Sequence, residues 1–261
     1  MKSKFGEHIT VTRDGHVALI EIDRPPHNHV SVELMRDLAD ALGVIDAERD
    51  QRCSVLASAG KAFCAGADLT APTGIGNPNT ESGIGPLYEE AVRLFSTKKP
   101  IVAAVQGAAV GAGLGLALVA DFRVAAPEAR FTSNFVKLGF HPGFGVTHTL
   151  PRVVGRQNAE LLCLTGRRIN GEEALAMGLA DKLVPLDQLR AAAMKLAQEI
   201  AENAPLAVQS VRSTFRADLA AAVREQTALE LKEQSWLRKT SDYVEGVKAV
   251  GERRPGNFTG S

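Results

Sequence analysis

The sequence predicts an α/β core followed by a helical C-terminal region, and three observations lead to that prediction. Two strand-like segments, "HITVTR" and "HVALIEI", flank Asp14-Gly15, a pair that tolerates the positive φ angles of a tight hairpin turn. Apolar strands then alternate with segments of helical periodicity. From about Gln157 onward the pattern becomes almost wholly helical.

Each element of the core follows from its local sequence. The segment "SVELMRDLADALGVIDAE" has apolar residues at helical spacing and begins at Ser31, a residue type that caps helices. Buried strands are predicted for "RCSVLASAG" and "KPIVAAVQG", and short strands for "DFRVAA" and "ARFTS". The stretch from Thr70 to Gly85 is rich in Gly, Pro, Asn and Ser, which predicts a long mobile loop of the kind that often has a function.

Composition excludes several classes of partner. The 261 residues carry 30 Lys and Arg against 30 Asp and Glu, so no net charge favours nucleic acid or an anionic membrane. Cys53, Cys64 and Cys163 are odd in number and lack CxxC spacing, which argues against a disulfide framework or zinc site and predicts a reducing, cytoplasmic location. The N-terminus lacks the apolar core of a signal peptide, and no apolar run reaches membrane-spanning length. We therefore expect neither secretion nor membrane insertion.

A glycine-rich turn, "GAAVGAGLG", follows the second buried strand, and "SVLASAGKAFCAGAD" shows a similar progression from strand to glycine turn to small residues. Small residues leave backbone N–H groups unshielded, and the first N–H groups of a helix have no internal partner. If Ala67 and Ala112 direct these groups to one point, they form an oxyanion hole. The alternative is that the glycines only allow the next helix to pack closely. A dinucleotide site is disfavoured, because the spacing is GxGxG rather than GxGxxG.

Longer motifs resemble one family. "GKAFCAGADL", "KPIVAAVQGAAVGAGLGLALVADFRVAAPEARF", "GRRINGEEALAMGLADKLVP" and "GVKAVGERRPGNF" are similar, in order, to segments of the enoyl-CoA hydratase/isomerase, or crotonase, family. The resemblance implies a spiral of ββα units that binds an acyl-CoA substrate, with no permanently bound cofactor. It implies a core over residues 1–200 and a helical trimerisation region over residues 201–261. It also places the two oxyanion donors at Ala67 and Ala112.

The same resemblance shows a departure at the residues that move protons. Hydratases of this family use two glutamates, and the alignment places Gly115 and Phe135 at those positions. His141, in "LGFHPGFG", is the best candidate base, since an imidazole can both accept and donate a proton near neutral pH. A histidine that only packs in its loop is the alternative. Glutamates in or beyond the predicted loop are further candidates: Glu81, Glu89 and Glu90.

The resemblance also predicts residues that contact the CoA moiety of the substrate. "PPHNHV" lies beside the cofactor in this alignment, so His27 and His29 are assigned to it; no nearby cluster completes a metal site. The remaining predicted contacts lie at the first turn, at the second turn and near the C-terminus: Ala65, Gly66, Asp68, Leu69, Gly111, Lys248 and Phe258. Solvated surface charge explains Lys248 and its neighbours Arg253 and Arg254 almost equally well.

Two hypotheses of different class follow. The first is an enzyme that stabilises a thioester enolate and catalyses isomerisation, hydrolysis or carbon–carbon cleavage, not standard hydration. The second is a non-catalytic acyl-CoA-binding protein, and a hydratase with relocated acid and base groups also remains open.

The C-terminal segment "PLAVQSVRSTFRADLAAAVREQTALELKEQSWL" has more apolar helical surface than one layer would bury, which predicts a homotrimer or hexamer.

Overall fold

The computed structural model describes residues 2–68 and 84–261. The strands in these ranges are β1 (Lys2–Phe5), β2 (Ile9–Asp14), β3 (Val17–Ile22), β4 (Cys53–Ser58), β5 (Ile101–Val105), β6 (Ala108–Val110), β7 (Phe122–Ala125), β8 (Arg130–Thr132), β9 (Arg168–Ile169) and β10 (Lys182–Leu183). The helices are α1 (Val32–Ala47), α2 (Ile84–Phe95), α3 (Ala112–Val119), α4 (Val146–Thr165), α5 (Gly171–Ala176), α6 (Leu189–Ala201), α7 (Pro205–Phe215), α8 (Leu219–Leu237) and α9 (Ser241–Gly251). Single 3-10 turns span Asn134–Leu138 and Leu186–Gln188.

The strands form two sheets. The larger has the order β1-β2-β3-β4-β5-β7-β10, in which the first three strands are antiparallel and the others parallel. The smaller has the order β6-β8-β9. Every residue of β4 and β5 is buried, as expected for parallel strands covered on both faces. The predicted α/β class and both buried strands are confirmed.

The predictions for the N-terminal elements are also confirmed. β2 and β3 pair as a hairpin, with Asp14 opposite Val17 and Gly15 at a φ of +55°. α1 begins after Ser31, whose hydroxyl accepts a hydrogen bond of 3.2 Å from the backbone N–H of Leu34. Local sequence specified these elements because turn and cap chemistry act between neighbouring residues.

The predicted boundaries of the helical region are partly wrong. α4 begins at Val146 instead of near Gln157, because Pro151 and a non-helical Gly155 interrupt its helical pattern without ending the element. Two short strands, β9 and β10, also interrupt the helical segment. Most of the predicted loop from Thr70 to Gly85 lies outside the described residues, and its last two residues belong to α2.

Two apolar clusters cover the two faces of the large sheet. The larger cluster joins that sheet to helices α1 to α4, and the smaller one joins it to α6. α8 packs against α2 and α4, and α9 packs against the 3-10 turn at residues 134–138. The C-terminal helices therefore lie beside the loops that follow the small sheet. No helix of the described residues is both long and apolar enough to cross a membrane.

Candidate active site

The two glycine turns that the sequence singled out lie side by side. The backbone N–H of Cys64 donates to the carbonyl of Ala108 at 2.8 Å, and the N–H of Val110 donates to the carbonyl of Cys64 at 3.0 Å. Gly66 and Gly111 follow these pairs, both at positive φ (+84° and +56°). A short parallel pairing thus brings together turns that are separated by more than forty residues of chain.

Glycine is required here by close approach as well as by φ. A Cβ on Gly66 would lie 2.5 Å from the carbonyl oxygen of Val110, and a Cβ on Gly113 would lie 2.0 Å from that of Cys64. Real Cβ atoms do not approach backbone oxygens so closely, so any side chain would push the two turns apart. The glycines therefore do allow the close packing that the sequence analysis gave as the alternative, and a role in presenting N–H groups stays a prediction.

Two backbone N–H groups near this pairing take no part in its hydrogen bonds. Ala112 is the first residue of α3, where an N–H has no partner within the helix. Neither its N–H nor that of Ala67 is hydrogen-bonded to another of the described residues. Both residues line the same cavity, of about 80 Å³. The helix dipole adds positive potential at Ala112.

The cavity is narrow and mostly apolar. α2, the 3-10 turn at 134–138, the 141–147 turn and α8 close it opposite the two glycine turns. Its described walls comprise Ala65, Gly66, Ala67, Ile84, Leu87, Tyr88, Val110, Gly111, Ala112, Asn134, Phe135, Leu138, Phe140, Gly143, Phe144, Gln234 and Arg238. Carboxylate and imidazole groups are absent from this set, and Arg238 is its one charged member.

The polar side chains on the far wall bond to one another. The hydroxyl of Tyr88 donates to Oε1 of Gln234 at 2.9 Å, and Nε2 of Gln234 donates to the carbonyl of His141 at 2.8 Å. Burial raises the pKa of Tyr88, with the Glu230 carboxylate adding to the effect, so the phenol stays protonated at neutral pH. Tyr88 is thus a hydrogen-bond donor and not a base.

Gly115 and Phe135 are the residues that the family resemblance predicts at the hydratase glutamate positions. Gly115 lies in α3, and Phe135 lies in the 3-10 turn at residues 134–138. A Cβ on Gly115 would lie 2.6 Å from the Phe144 ring, which is fully buried. Phe135 lines the cavity and packs edge to face on Phe140, with ring centroids 5.5 Å apart. Aromatic rings occupy the space toward which side chains at these two positions would project.

The candidate bases lie outside the described cavity wall. His141 is half-buried, and its Nδ1 lies 2.8 Å from the carbonyl of Pro142. Glu90 is ion-paired with Arg36 and Arg93 at 3.4 and 2.6 Å, and Glu89 is exposed. Glu81 lies outside the described residues. The roles of these residues in proton transfer remain predictions.

The "PPHNHV" segment supports the first turn through its backbone and one ring. The carbonyl of His27 accepts from the N–H of Ala65 at 3.1 Å, and Nδ1 of His29 lies 3.1 Å from the carbonyl of Gly66. Between them, the buried Asn28 donates to the carbonyls of Ala59 and Ala62 at 2.9 and 2.8 Å. Sequence analysis missed Asn28, although Asn is a common turn residue because it tolerates positive φ angles. In the structure Asn28 has a φ of +54°.

Some of the other predicted CoA contacts line the cavity and some do not. Ala65, Gly66 and Gly111 line the cavity, and Asp68 directly follows Ala67; Leu69 lies outside the described residues. Lys248 and Phe258 are exposed and do not line the cavity. Their neighbour Arg254 is occupied by ion pairs with Glu245 and Glu252, at 2.5 and 2.6 Å. Among the residues described, no cluster of three or more His, Cys, Asp or Glu could hold a metal ion.

Comparison with known proteins identifies the class. The fold matches an enoyl-CoA hydratase/isomerase crystal structure from Pseudoalteromonas atlantica with a TM-score of 0.86 and 30% identity, covering 97% of this chain and all of the other. The predicted crotonase-like fold is therefore confirmed. The family model described as enoyl-CoA hydratase/isomerase matches residues 12–261.

Two similar proteins carry different activities in their names. An enoyl-CoA hydratase of Mycobacterium tuberculosis is 34% identical over 259 residues, which is 97% of each chain. A 1,2-epoxyphenylacetyl-CoA isomerase of Escherichia coli is 34% identical over 250 residues, 94% of this chain and 95% of the other. The chain belongs to the enoyl-CoA hydratase/isomerase family and is an acyl-CoA enzyme of that family.

Proposed function

We propose that this enzyme binds a short acyl-CoA with its thioester oxygen between the N–H groups of Ala67 and Ala112, and stabilises the enolate that forms when a Cα proton is removed. Two N–H donors that have no partner among the described residues and line one apolar cavity carry this proposal. Donors fixed before reaction are worth most where charge develops in a dry site, and removal of one such donor typically costs about 10²–10³-fold in rate.

We infer that hydration is not the main reaction. Adding water to a 2-enoyl thioester requires one group to activate water and another to protonate Cα. The described cavity wall contains no carboxylate, and Gly115 and Phe135 cannot transfer a proton. Enolate formation needs one base only, so isomerisation, hydrolysis or carbon–carbon cleavage fits this wall better. The hydratase and isomerase relatives are equally similar to the chain, so their names do not favour either reaction.

The base in this proposal is His141. The carbonyl of Pro142 can only accept a hydrogen bond, so Nδ1 of His141 carries the hydrogen and Nε2 is left as the basic nitrogen. His141 does not line the described cavity, but its backbone carbonyl accepts a hydrogen bond from Gln234, which does. Substrate binding would have to bring Cα within reach of Nε2.

A panel of acyl-CoAs in deuterated water tests the proposal. We expect mass spectrometry to show Cα exchange on at least one short acyl-CoA, and negligible hydration of crotonyl-CoA. Calorimetry should show tighter binding of an acyl-CoA than of the matching free acid. Efficient crotonyl-CoA hydration would contradict the assignment of Gly115 and Phe135, whereas absence of exchange on every acyl-CoA would favour a binding protein.

We also propose that the enzyme is a homotrimer or hexamer. α7 exposes Leu206 (80%), Val211 (56%) and Phe215 (77%) beside an apolar groove of about 650 Å³. Exposed apolar side chains that cluster beside a groove often mark a protein–protein interface. Since Lys248 and Phe258 do not line their own cavity, we propose that they contact CoA bound to a neighbouring subunit. Light scattering that gave a monomer across the micromolar range would contradict both statements.

The free thiols support a cytoplasmic location. Cys53 and Cys64 are buried, and burial raises the pKa of each thiol to about 12. Thiols in this state neither form disulfides with each other nor act as nucleophiles. We propose the cytoplasm on this ground, and fractionation of the source cells would test it.

A further inference from the structure

The buried face of α8 is unusually polar for a helix in contact with a core. Its buried residues recur at helical spacing, and after Leu219 and Val223 the stripe continues with Thr227, Glu230 and Gln234. Glu230 is completely buried. A buried carboxylate lowers stability unless hydrogen bonds compensate for its lost hydration. The groups that it contacts therefore indicate what it does.

Glu230 holds the start of α4. Its Oε2 accepts from the N–H of Gly145 at 2.7 Å, and its Oε1 accepts from the N–H and the hydroxyl of Thr147 at 3.1 and 2.5 Å. Gly145 is the residue that caps α4, at a φ of +73°, and as a glycine it has no side chain with which to cap the helix. Glu230 thus supplies from another helix the negative charge that favours a helix N-terminus.

One turn further along α8, Gln234 holds the other end of the same segment through the carbonyl of His141. The 141–147 turn is therefore fixed at both ends by side chains of α8. Gln226 adds a hydrogen bond of 2.8 Å to the hydroxyl of Thr147. Three residues of one helix face determine where this turn lies.

The turn forms part of the cavity wall. Gly143 and Phe144 line the cavity, and a Cβ on Gly143 would lie only 1.9 Å from the hydroxyl oxygen of Tyr88. Phe144 adopts a φ of +63°, a conformation that costs free energy for a bulky residue and persists only when its surroundings impose it. The bonds at either side of Phe144 provide that constraint.

We propose that Glu230 is a positioning residue, which together with Gln234 fixes the 141–147 turn and so sets the shape of the acyl cavity without touching the substrate. The proposal rests on the proposed function, because it assumes that the acyl group occupies this cavity. Loosening the turn should then weaken recognition of the acyl group and leave recognition of CoA unchanged.

Calorimetry with butyryl-CoA and with free CoA tests this on the full-length protein. For Glu230→Gln we expect the affinity for butyryl-CoA to fall at least about fivefold while the affinity for CoA changes less than twofold. Glu225→Gln, an exposed carboxylate on the same helix, is the matched control and should change neither. Thr147→Val keeps the side-chain shape and removes one hydrogen bond to Glu230. It should also lower the affinity for butyryl-CoA relative to that for CoA, and it replaces Glu230→Gln in the test if that variant does not fold.

The pH profile separates this role from a purely structural one. Among the described residues, the titratable groups that interact with Glu230 are Tyr88 from α2 and Cys163 from α4, both uncharged near neutral pH. Burial raises the pKa of Glu230 to about 7 against the hydrogen bonds from Gly145 and Thr147. The preference for butyryl-CoA over CoA should therefore increase between pH 6 and pH 8 in the wild type and stay level in Glu230→Gln.

Hydrogen exchange supplies a readout that does not depend on acyl-CoA. The amides of Gly145 and Thr147 should exchange at least about tenfold faster in Glu230→Gln than in the wild type or Glu225→Gln. The positioning role would be overturned if these amides exchanged in Glu230→Gln as slowly as in the wild type. It would also be overturned if the wild type preferred butyryl-CoA and Glu230→Gln showed the same ratio of affinities for butyryl-CoA and CoA. A wild type with no preference for butyryl-CoA would instead refute the proposed function, and exchange would still test how the turn is held.

Discussion

The two sides of the cavity are built on different principles. On the sheet side, the turns around Gly66 and Gly111 contribute backbone N–H groups and exclude side chains by their close approach. On the helical side, Tyr88, Gln234 and Glu230 contribute side chains whose polar groups bond to one another or to the 141–147 turn. In the proposed function, the sheet side holds the reacting oxygen and the helical side sets which acyl group fits.

The largest loss of stability is expected from a substitution that forces the two glycine turns of the sheet side apart. Gly113→Ala places a Cβ 2.0 Å from the carbonyl oxygen of Cys64, and backbone cannot move aside as a side chain can. We expect loss of most soluble, cooperatively melting protein. Gly43→Ala is the control, since it lies in α1 with open space around it; the substitution should stabilise the protein by about 1 kcal/mol. A Gly113→Ala protein that melts like the wild type would show that the two turns are not rigidly paired.

On the helical side, the buried Glu230 should make stability depend on pH. Because its pKa is raised to about 7, the folded protein binds a proton more tightly than the unfolded chain does. Stability from this group is full below about pH 4 and is lost as the pH rises through 7, a decrease of about 3 kcal/mol. Denaturant melts of the wild type and Glu230→Gln at pH 5, 6, 7 and 8 measure it. The same downward slope in both proteins would assign the effect to another group.

The contrast can be sharpened by adding carboxylates, which the described part of the cavity wall does not contain. Gly115→Glu alone should destabilise the protein, because the new side chain meets Phe144. Phe144→Gly removes that ring at a residue whose positive φ suits glycine. Combined with Gly115→Glu and Phe135→Glu, it should raise crotonyl-CoA hydration at least about a hundredfold over the wild type. If the triple variant folds and binds acyl-CoA without any gain, the aligned positions do not face the substrate double bond.

A smaller effect is expected at the candidate base. His141→Ala should lower the rate of Cα exchange at least about tenfold, a lower bound beneath the roughly 10²–10⁴-fold that a general base typically contributes. His16→Ala is the control, since its Nδ1 also bonds to a carbonyl, that of Asp50, on an exposed part of the fold. Exchange that persists in His141→Ala would redirect the search to Glu81, Glu89 and Glu90. In that case the 141–147 turn would shape the cavity and take no part in proton transfer.

Much of the fold was predictable because its signals are local. Asp14-Gly15 specifies a hairpin turn, Ser31 caps a helix, and uninterrupted apolar runs specify β4 and β5. α4 was predicted to start too late because Pro151 and Gly155 weaken a pattern that tertiary contacts complete. Long motifs likewise carried enough information to indicate the family.

The helical wall of the cavity required the tertiary structure. Glu230 in sequence is one charge on a helix with many, and Gln234 is one amide among several; neither their burial nor their contacts with residues 141–147 can be inferred from spacing along the chain. The sequence by itself determined the two glycine turns, since close backbone approach and positive φ leave glycine as the choice. Tertiary structure alone decided which side chains meet across the cavity, because hydrogen bonds between residues some 85 positions apart depend on how α8 packs against α4.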